Sequence, residues 1–133
     1  MPRLVMRTVR STPALSTLLG ACVMASSVAL APALAQGLVP DSQVRAINTA
    51  RNAAITLNGG LGVYNPAKCM FETTKLTNPC LISNDQNGYV FRFLGGAPGW
   101  QPENLPPTLQ TELRVSTDGR IVLQTIYNGA PQQ

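Results

Sequence analysis

The stretch TELRVSTDGRIVLQTIYN, residues 111–128, decides the fold, because it reads as two β-strands joined by a turn. Apolar and polar residues alternate on both sides of Asp118-Gly119, which supplies the turn chemistry. One register sets apolar residues opposite apolar residues, pairing Val115 with Ile121, Leu113 with Leu123 and Thr111 with Thr125. A two-residue turn would instead place Leu113 opposite Gln124. The pattern therefore predicts a three-residue loop, 117–119, with Gly119 left-handed in a bulged turn.

The residues before this hairpin supply further strands. YVFRFL, residues 89–94, alternates and places its three aromatic side chains on one face: Tyr89, Phe91 and Phe93. NDQNG, residues 84–88, predicts a hairpin turn; its oxygen-rich side chains could alternatively hold an ion, but the spacing of a calcium loop is missing. Shorter strands are predicted at 80–83 and 68–73.

A helix is predicted over residues 41–58. Apolar residues recur there at spacings of three and four, namely Val44, Ile47, Ala50, Ala54, Leu57 and Leu61. Asp41 or Ser42 is the expected N-terminal cap, and Asn58-Gly59-Gly60 ends the helix because glycine adopts the left-handed conformation without steric cost.

These elements predict an α+β fold, in which one N-terminal helix packs on an antiparallel sheet of about four strands. The apolar side of the helix is expected to cover one sheet face. The opposite face is expected to be mixed and available to solvent or a partner, and it carries Val90, Arg92, Glu112, Arg114, Val122, Gln124 and Ile126.

Residues 1–35 are typical of a secretory signal peptide, with a basic head, an apolar middle and the small-residue ending Ala33-Leu34-Ala35. Cleavage after Ala35 would leave a domain at 36–129, a flexible tail at 130–133 and no membrane span, in a periplasmic or extracellular setting. Two alternatives remain open: acylation of Cys22 in a lipoprotein-type motif, or retention of the apolar stretch as an anchor.

Charge and cysteine content narrow the partners and cofactors. Seven basic and six acidic residues follow position 35, a net charge of +1 without a basic run, so nucleic acid and anionic membranes are poor partners. A protein or another envelope component is the expected partner.

Cys69 and Cys80 are the two cysteines after position 35, and in an oxidising compartment they predict one disulfide worth roughly 3 kcal/mol. Free thiols are the alternative. The chain contains no histidine and no second cysteine pair there, so we predict no zinc, haem or other cofactor.

The sequence offers little catalytic chemistry. A serine nucleophile lacks a histidine base. Among the acids, only Glu72 and Glu103 have no evident role in a cap, turn or ion pair, and a hydrolase would need such a pair in one cleft. We predict a non-enzymatic binding module and keep a small hydrolase as an alternative.

The candidate binding loop begins with GGAPGW, in which Gly95, Gly96, Pro98 and Trp100 are the residues of interest. Trp100, the single tryptophan, is either a large core residue or an exposed anchor at a loop tip. The second reading permits a protease inhibitor of cystatin-like layout, where a Pro-Trp hairpin forms part of a wedge. That likeness is architectural, because no Gln-x-Val-x-Gly loop is present.

Three segments carry a family resemblance: ARNAAITLNGGLGVY at 50–64, FRFLGGAPG at 91–99 and YNG at 127–129. Together they resemble a group of small secreted proteins that recur in cyanobacteria, over about residues 50–129. The resemblance implies an envelope or extracellular setting and assigns no catalytic residue. The Cys69/Cys80 pair lies outside its motifs.

Overall fold

The computed structural model describes residues 37–133, and the predicted signal peptide, the cleavage site and Cys22 lie outside them. The elements are, in order, α1 (Asp41–Leu57), β1 (Asn65–Pro66), a 3₁₀ helix (Lys68–Phe71), β2 (Leu81–Asp85), β3 (Gly88–Gly96), β4 (Leu109–Val115) and β5 (Val122–Gly129). The α+β prediction is confirmed, with five antiparallel strands rather than about four. Within this range no helix is long and apolar enough to cross a membrane.

The sheet is built around β3, which pairs with β4 on one edge and with both β1 and β2 on the other. The three aromatic side chains of β3 are buried in the core, as predicted, and Arg92 and Leu94 are exposed between them. Val90, which was predicted on the solvent-available face, is buried as well, so the predicted alternation holds only from Phe91 onward. Asp85 pairs with Gly88, so Gln86 and Asn87 form the predicted hairpin turn. On the face turned from the helix, Arg92 pairs with Glu112 at 2.8 Å.

The predicted strand at 68–73 is wrong, because Lys68–Phe71 forms a 3₁₀ helix. Residues three apart, Ala67 and Met70, are both buried there, whereas a strand would bury residues two apart. The Ala67 N–H donates to the Leu94 carbonyl at 2.8 Å, which anchors the start of the turn to β3.

The predicted register of the β4–β5 hairpin is also wrong. Val115 pairs with Val122, Leu113 with Thr125 and Glu112 with Tyr127, and bulges interrupt the ladder twice. Leu123 and Ile121 are consequently exposed, and Val122 packs against the core instead of the outer face.

Contacts of the turn with α1 explain this register. Gly119 has φ +77°, as predicted, and a Cβ there would collide with the backbone of Ser42 and Ala46. Arg45 donates to the Asp118 carbonyl at 3.0 Å, and the Thr49 hydroxyl donates to the Gly119 carbonyl at 2.7 Å. Docking of the turn on the helix thus outweighs apolar matching between the strands.

The helix matches its predicted range to one residue, but its buried face is rotated. Gln43, Ala46, Ile47, Ala50 and Ala54 are buried, whereas Leu57 and Leu61 are largely exposed. Small alanine side chains let the helix lie close to the sheet, and Gln43 donates to the carbonyls of the loop at Lys75 and Leu76.

The C-terminal end of the helix was predicted correctly, whereas the predicted N-terminal cap was wrong. Gly59 and Gly60 have φ of +93° and +91°, so the predicted C-terminal stop is confirmed. Neither Asp41 nor Ser42 acts as a cap, because the Pro40 carbonyl accepts from the first turn and Ser42 instead bonds Tyr89 at 2.7 Å.

The Cys69–Cys80 disulfide is present, with a Cα–Cα distance of 5.9 Å. Buried Asn78 organises the loop that it closes, donating to the carbonyls of Cys69 and Glu72 and accepting from the Cys80 N–H. The bridge therefore joins the 3₁₀ helix to the start of β2.

Candidate functional site

The four residues of the predicted binding loop separate into two groups. Gly95 and Gly96 are buried and belong to the end of β3, where they pair with Pro66 and Asn65. Pro98 is exposed, and Trp100 follows it in the turn after the strand. The strand was predicted to end at residue 94 but continues to Gly96, so the loop begins at Ala97.

Both glycines make room for a large ring. A Cβ on Gly95 would collide with the Tyr64 ring, and one on Gly96 would lie 3.0 Å from Trp100 Cγ. Gly99 has φ +83°, which lets the chain turn back so that Trp100 faces Gly96. The glycines of GGAPG therefore leave the space in which the rings of Tyr64 and Trp100 pack.

Trp100 is buried, with only 8% of its surface exposed. Its indole N–H donates to the Asn65 carbonyl at 2.9 Å, and its backbone carbonyl accepts from Leu105 at 2.8 Å. Of the two readings left open by the sequence, the structure supports a packed ring over a projecting anchor. A wedge of the cystatin type needs a projecting residue, so Trp100 fits that role poorly.

One edge of the packed indole nevertheless borders an open groove of about 780 Å³. Its apolar walls are formed by Leu61, Pro66, Phe71, Trp100 and Pro102, and its polar groups come from Asn65, Lys68 and Gln101. Leu61 is 60% exposed and Phe71 is 52% exposed. A groove of this size with mostly apolar walls and a few polar groups is typical of small-ligand and side-chain binding sites.

The walls of the groove are held together by specific contacts. The Lys68 N–H donates to Gln101 Oε1 at 2.8 Å, which ties the 3₁₀ helix to the loop. The Arg51 guanidinium lies 4.9 Å from the centre of the Phe71 ring and donates to the Met70 carbonyl. Cys69 lies between Lys68 and Phe71 in the 3₁₀ helix, so its disulfide to Cys80 anchors the segment that carries both wall residues.

Sequence reasoning identified Trp100 but missed Leu61, Pro66 and Phe71. Leu61 was assigned to the buried helix face, and Phe71 to a strand. An apolar residue just past a glycine stop is a weak signal of exposure, and nothing local indicates that three separate segments meet at Trp100.

Neither of the two acids that could serve a hydrolase lies in the lining of the groove. Glu72 pairs with Lys75 at 2.8 Å, and the hydrogen bond from this lysine lowers the pKa of the carboxyl. Glu103 lies beside Gly99 in the turn. Within residues 37–133, no three metal-ligating side chains cluster together.

A network of polar side chains lies next to Tyr64. Asn58 and Asn128 exchange side-chain hydrogen bonds at 3.3 and 2.8 Å, and the Thr111 hydroxyl donates to Asn128 Oδ1 at 2.7 Å. Burial raises the pKa of Tyr64, an effect that the nearby Thr111 hydroxyl opposes, yet the Tyr64 hydroxyl has no partner with hydrogen-bond geometry in the described range. Residues of the NGG, GGAPG and YNG motifs thus converge in one region and serve its packing.

Comparison with known proteins gives no match: no family model, no curated protein and no solved structure is significantly similar to this chain. The assignment of a function rests on the geometry of the groove.

Proposed function

We propose that this chain is an exported, non-enzymatic binding module of the cell envelope or extracellular space, and that it holds an apolar group of its partner in the Trp100 groove. The observation that carries the proposal is the pair of exposed wall residues, Leu61 and Phe71, which stand beside a packed tryptophan in one concave site. Exposed apolar side chains that converge in a cavity favour binding, whereas scattered ones do not.

The chemistry of the lining supports binding over catalysis. None of its nine residues carries a carboxylate, imidazole, thiol or hydroxyl group, so Lys68 has no partner in the lining with which to form an acid–base pair. Lys68 and Gln101 supply donors that would orient a ligand. The Cys69–Cys80 disulfide supports an oxidising compartment and hence export.

The groove can be tested with the amphiphilic anionic dye 1-anilinonaphthalene-8-sulfonate, whose aromatic rings favour apolar sites, because Trp100 is the only tryptophan and transfers energy to a dye bound beside it. We expect dye emission on tryptophan excitation in the wild type. The double variant Leu61→Ser/Phe71→Ser should weaken dye binding by at least about tenfold.

The matched control is Val63→Ser/Leu76→Ser. These residues are 61% and 49% exposed, close to the values for the wall residues, but they do not line the groove. The control should bind dye as the wild type does. An equal loss in both variants, or no energy transfer in the wild type, would contradict a binding role for this groove.

Export has its own test in the intact mass of the protein recovered from its producing cells. Cleavage after Ala35 gives a chain of 98 residues that begins at Gln36. A lipidated chain that begins at Cys22, or the full 133-residue chain, would contradict the expected processing.

A further inference from the structure

We propose that strand β5 pairs antiparallel with β5 of a second copy of this chain, forming a two-fold symmetric dimer with one continuous sheet. This inference is independent of the groove. It follows from the unequal protection of the two edges of the sheet.

The β5 edge is open among the described residues, where this strand of eight residues has β4 as its one neighbour. An open edge presents a row of backbone donors and acceptors that another strand can satisfy. Most proteins protect such a strand with charge or proline, but VLQTIYNG contains neither. Among the described residues, the protection of β5 is limited to the two bulges in its pairing with β4, which increase its local twist.

Apolar side chains reinforce the edge. Leu123 is 56% exposed and Ile126 is 38% exposed, and each lies at a bulge where two residues of β5 face one of β4. On the helix side, a second groove runs beside the strand and includes Leu57 and Thr125. A paired strand would remove this apolar surface from water while completing the ladder.

The opposite edge is protected. Strand β1 has two residues, one of them Pro66, and β2 is a five-residue strand that ends in Asp85. Pairing of β5 with this edge would be head-to-tail and would propagate into open fibres, whereas pairing of β5 with itself closes after two copies. The poor ladder on the β1/β2 side favours the closed arrangement.

Charge also favours a second copy as the occupant. Strand β5 contains no charged residue, so pairing it with a second β5 brings no like charges of the two strands together. The net charge of +1 over residues 36–133 adds little repulsion between copies. A strongly charged partner strand would find no complement on β5.

Sedimentation velocity of the purified, processed protein from about 1 to about 300 µM tests the dimer. We expect a monomer–dimer equilibrium without larger species. Leu123→Lys/Ile126→Lys should raise the dissociation constant at least about tenfold, because it places four like charges across the two-fold axis. Ile82→Lys/Leu94→Lys adds the same charge at residues 49% and 37% exposed that lie away from β5, and should leave the dimer intact.

Hydrogen–deuterium exchange locates the interface. Amides of β5 should exchange more slowly as the protein concentration rises, while those of β2 should not change. A wild type that stays monomeric, an equal effect of the two lysine pairs, or β5 exchange that is independent of concentration would each overturn the proposal. The last result would mean that β5 is free, or is covered by another part of the same chain.

Discussion

At the residue scale, the sharpest constraint is Gly95, whose missing side chain leaves room for the Tyr64 ring. Gly95→Ala should lower the free energy of unfolding by about 1–3 kcal/mol, because a Cβ would overlap a ring held in a packed core. Urea denaturation followed by circular dichroism measures the loss. Gly62→Ala is the matched control, since no atom lies within 4 Å of a Cβ there and its φ is not positive. Equal stabilities for the two variants would contradict the steric account.

Residue roles were only partly readable from sequence. Glycine at 95 and 96 was recognised as unusual and assigned to a loop, whereas its cause is contact with rings that lie 31 residues upstream, at Tyr64, and four residues downstream, at Trp100. Such a contact has no local signature. Gly59, Gly60 and Gly119 were predicted correctly because the chain direction near them demands a left-handed residue whatever surrounds it.

At the element scale, the β4–β5 turn depends on Asp118. The Ser116 hydroxyl donates to its carboxylate, the Arg120 N–H donates to it at 3.1 Å, and both bonds lower the pKa of Asp118. A lowered pKa in the folded state means that the charged form stabilises the fold. This contribution is full above about pH 5 and is lost as the pH falls through about 4 and below.

Asp118→Asn should therefore lower the urea midpoint at pH 7, and the difference from wild type should shrink below about pH 4. Ser116→Ala removes the strongest cause of the shift and should reproduce much of the effect, so the double variant should cost less than the sum of the single variants. A constant difference across the pH range would show that the carboxylate charge does not contribute.

The same turn shows where pattern reading of an element fails. The existence of both strands and the position of Gly119 followed from alternation and turn chemistry. The register did not, because matching Leu113 to Leu123 considers two strands alone, whereas the real turn also has to reach Arg45 and Thr49 on the helix. A few tertiary contacts of the turn thus shifted the register in which the eight-residue strand β5 pairs with β4, relative to the predicted register.

At the scale of the whole molecule, the disulfide compensates for a core that one helix covers from a single side. Removing it with Cys69→Ala/Cys80→Ala should lower the free energy of unfolding by about 3 kcal/mol, given the separation of 11 residues. Denaturation with and without reductant measures this. Reductant should destabilise the wild type and leave the variant unchanged; a wild type indifferent to reductant would contradict the assigned role.

The contacts that close this domain join its beginning to its end. Arg45 reaches Asp118 across 73 positions, and Thr49 with Gly119 and Asn58 with Asn128 each span 70. Most of the stability of a helix in a protein comes from tertiary packing of its apolar face, so the 17-residue α1 gains little before its distant partners are present. Contacts of such long range fold slowly. A chain emerging from its N-terminus would therefore be unable to dock its helix fully until residues 118–128 appear, so completion of this domain waits for nearly the whole chain.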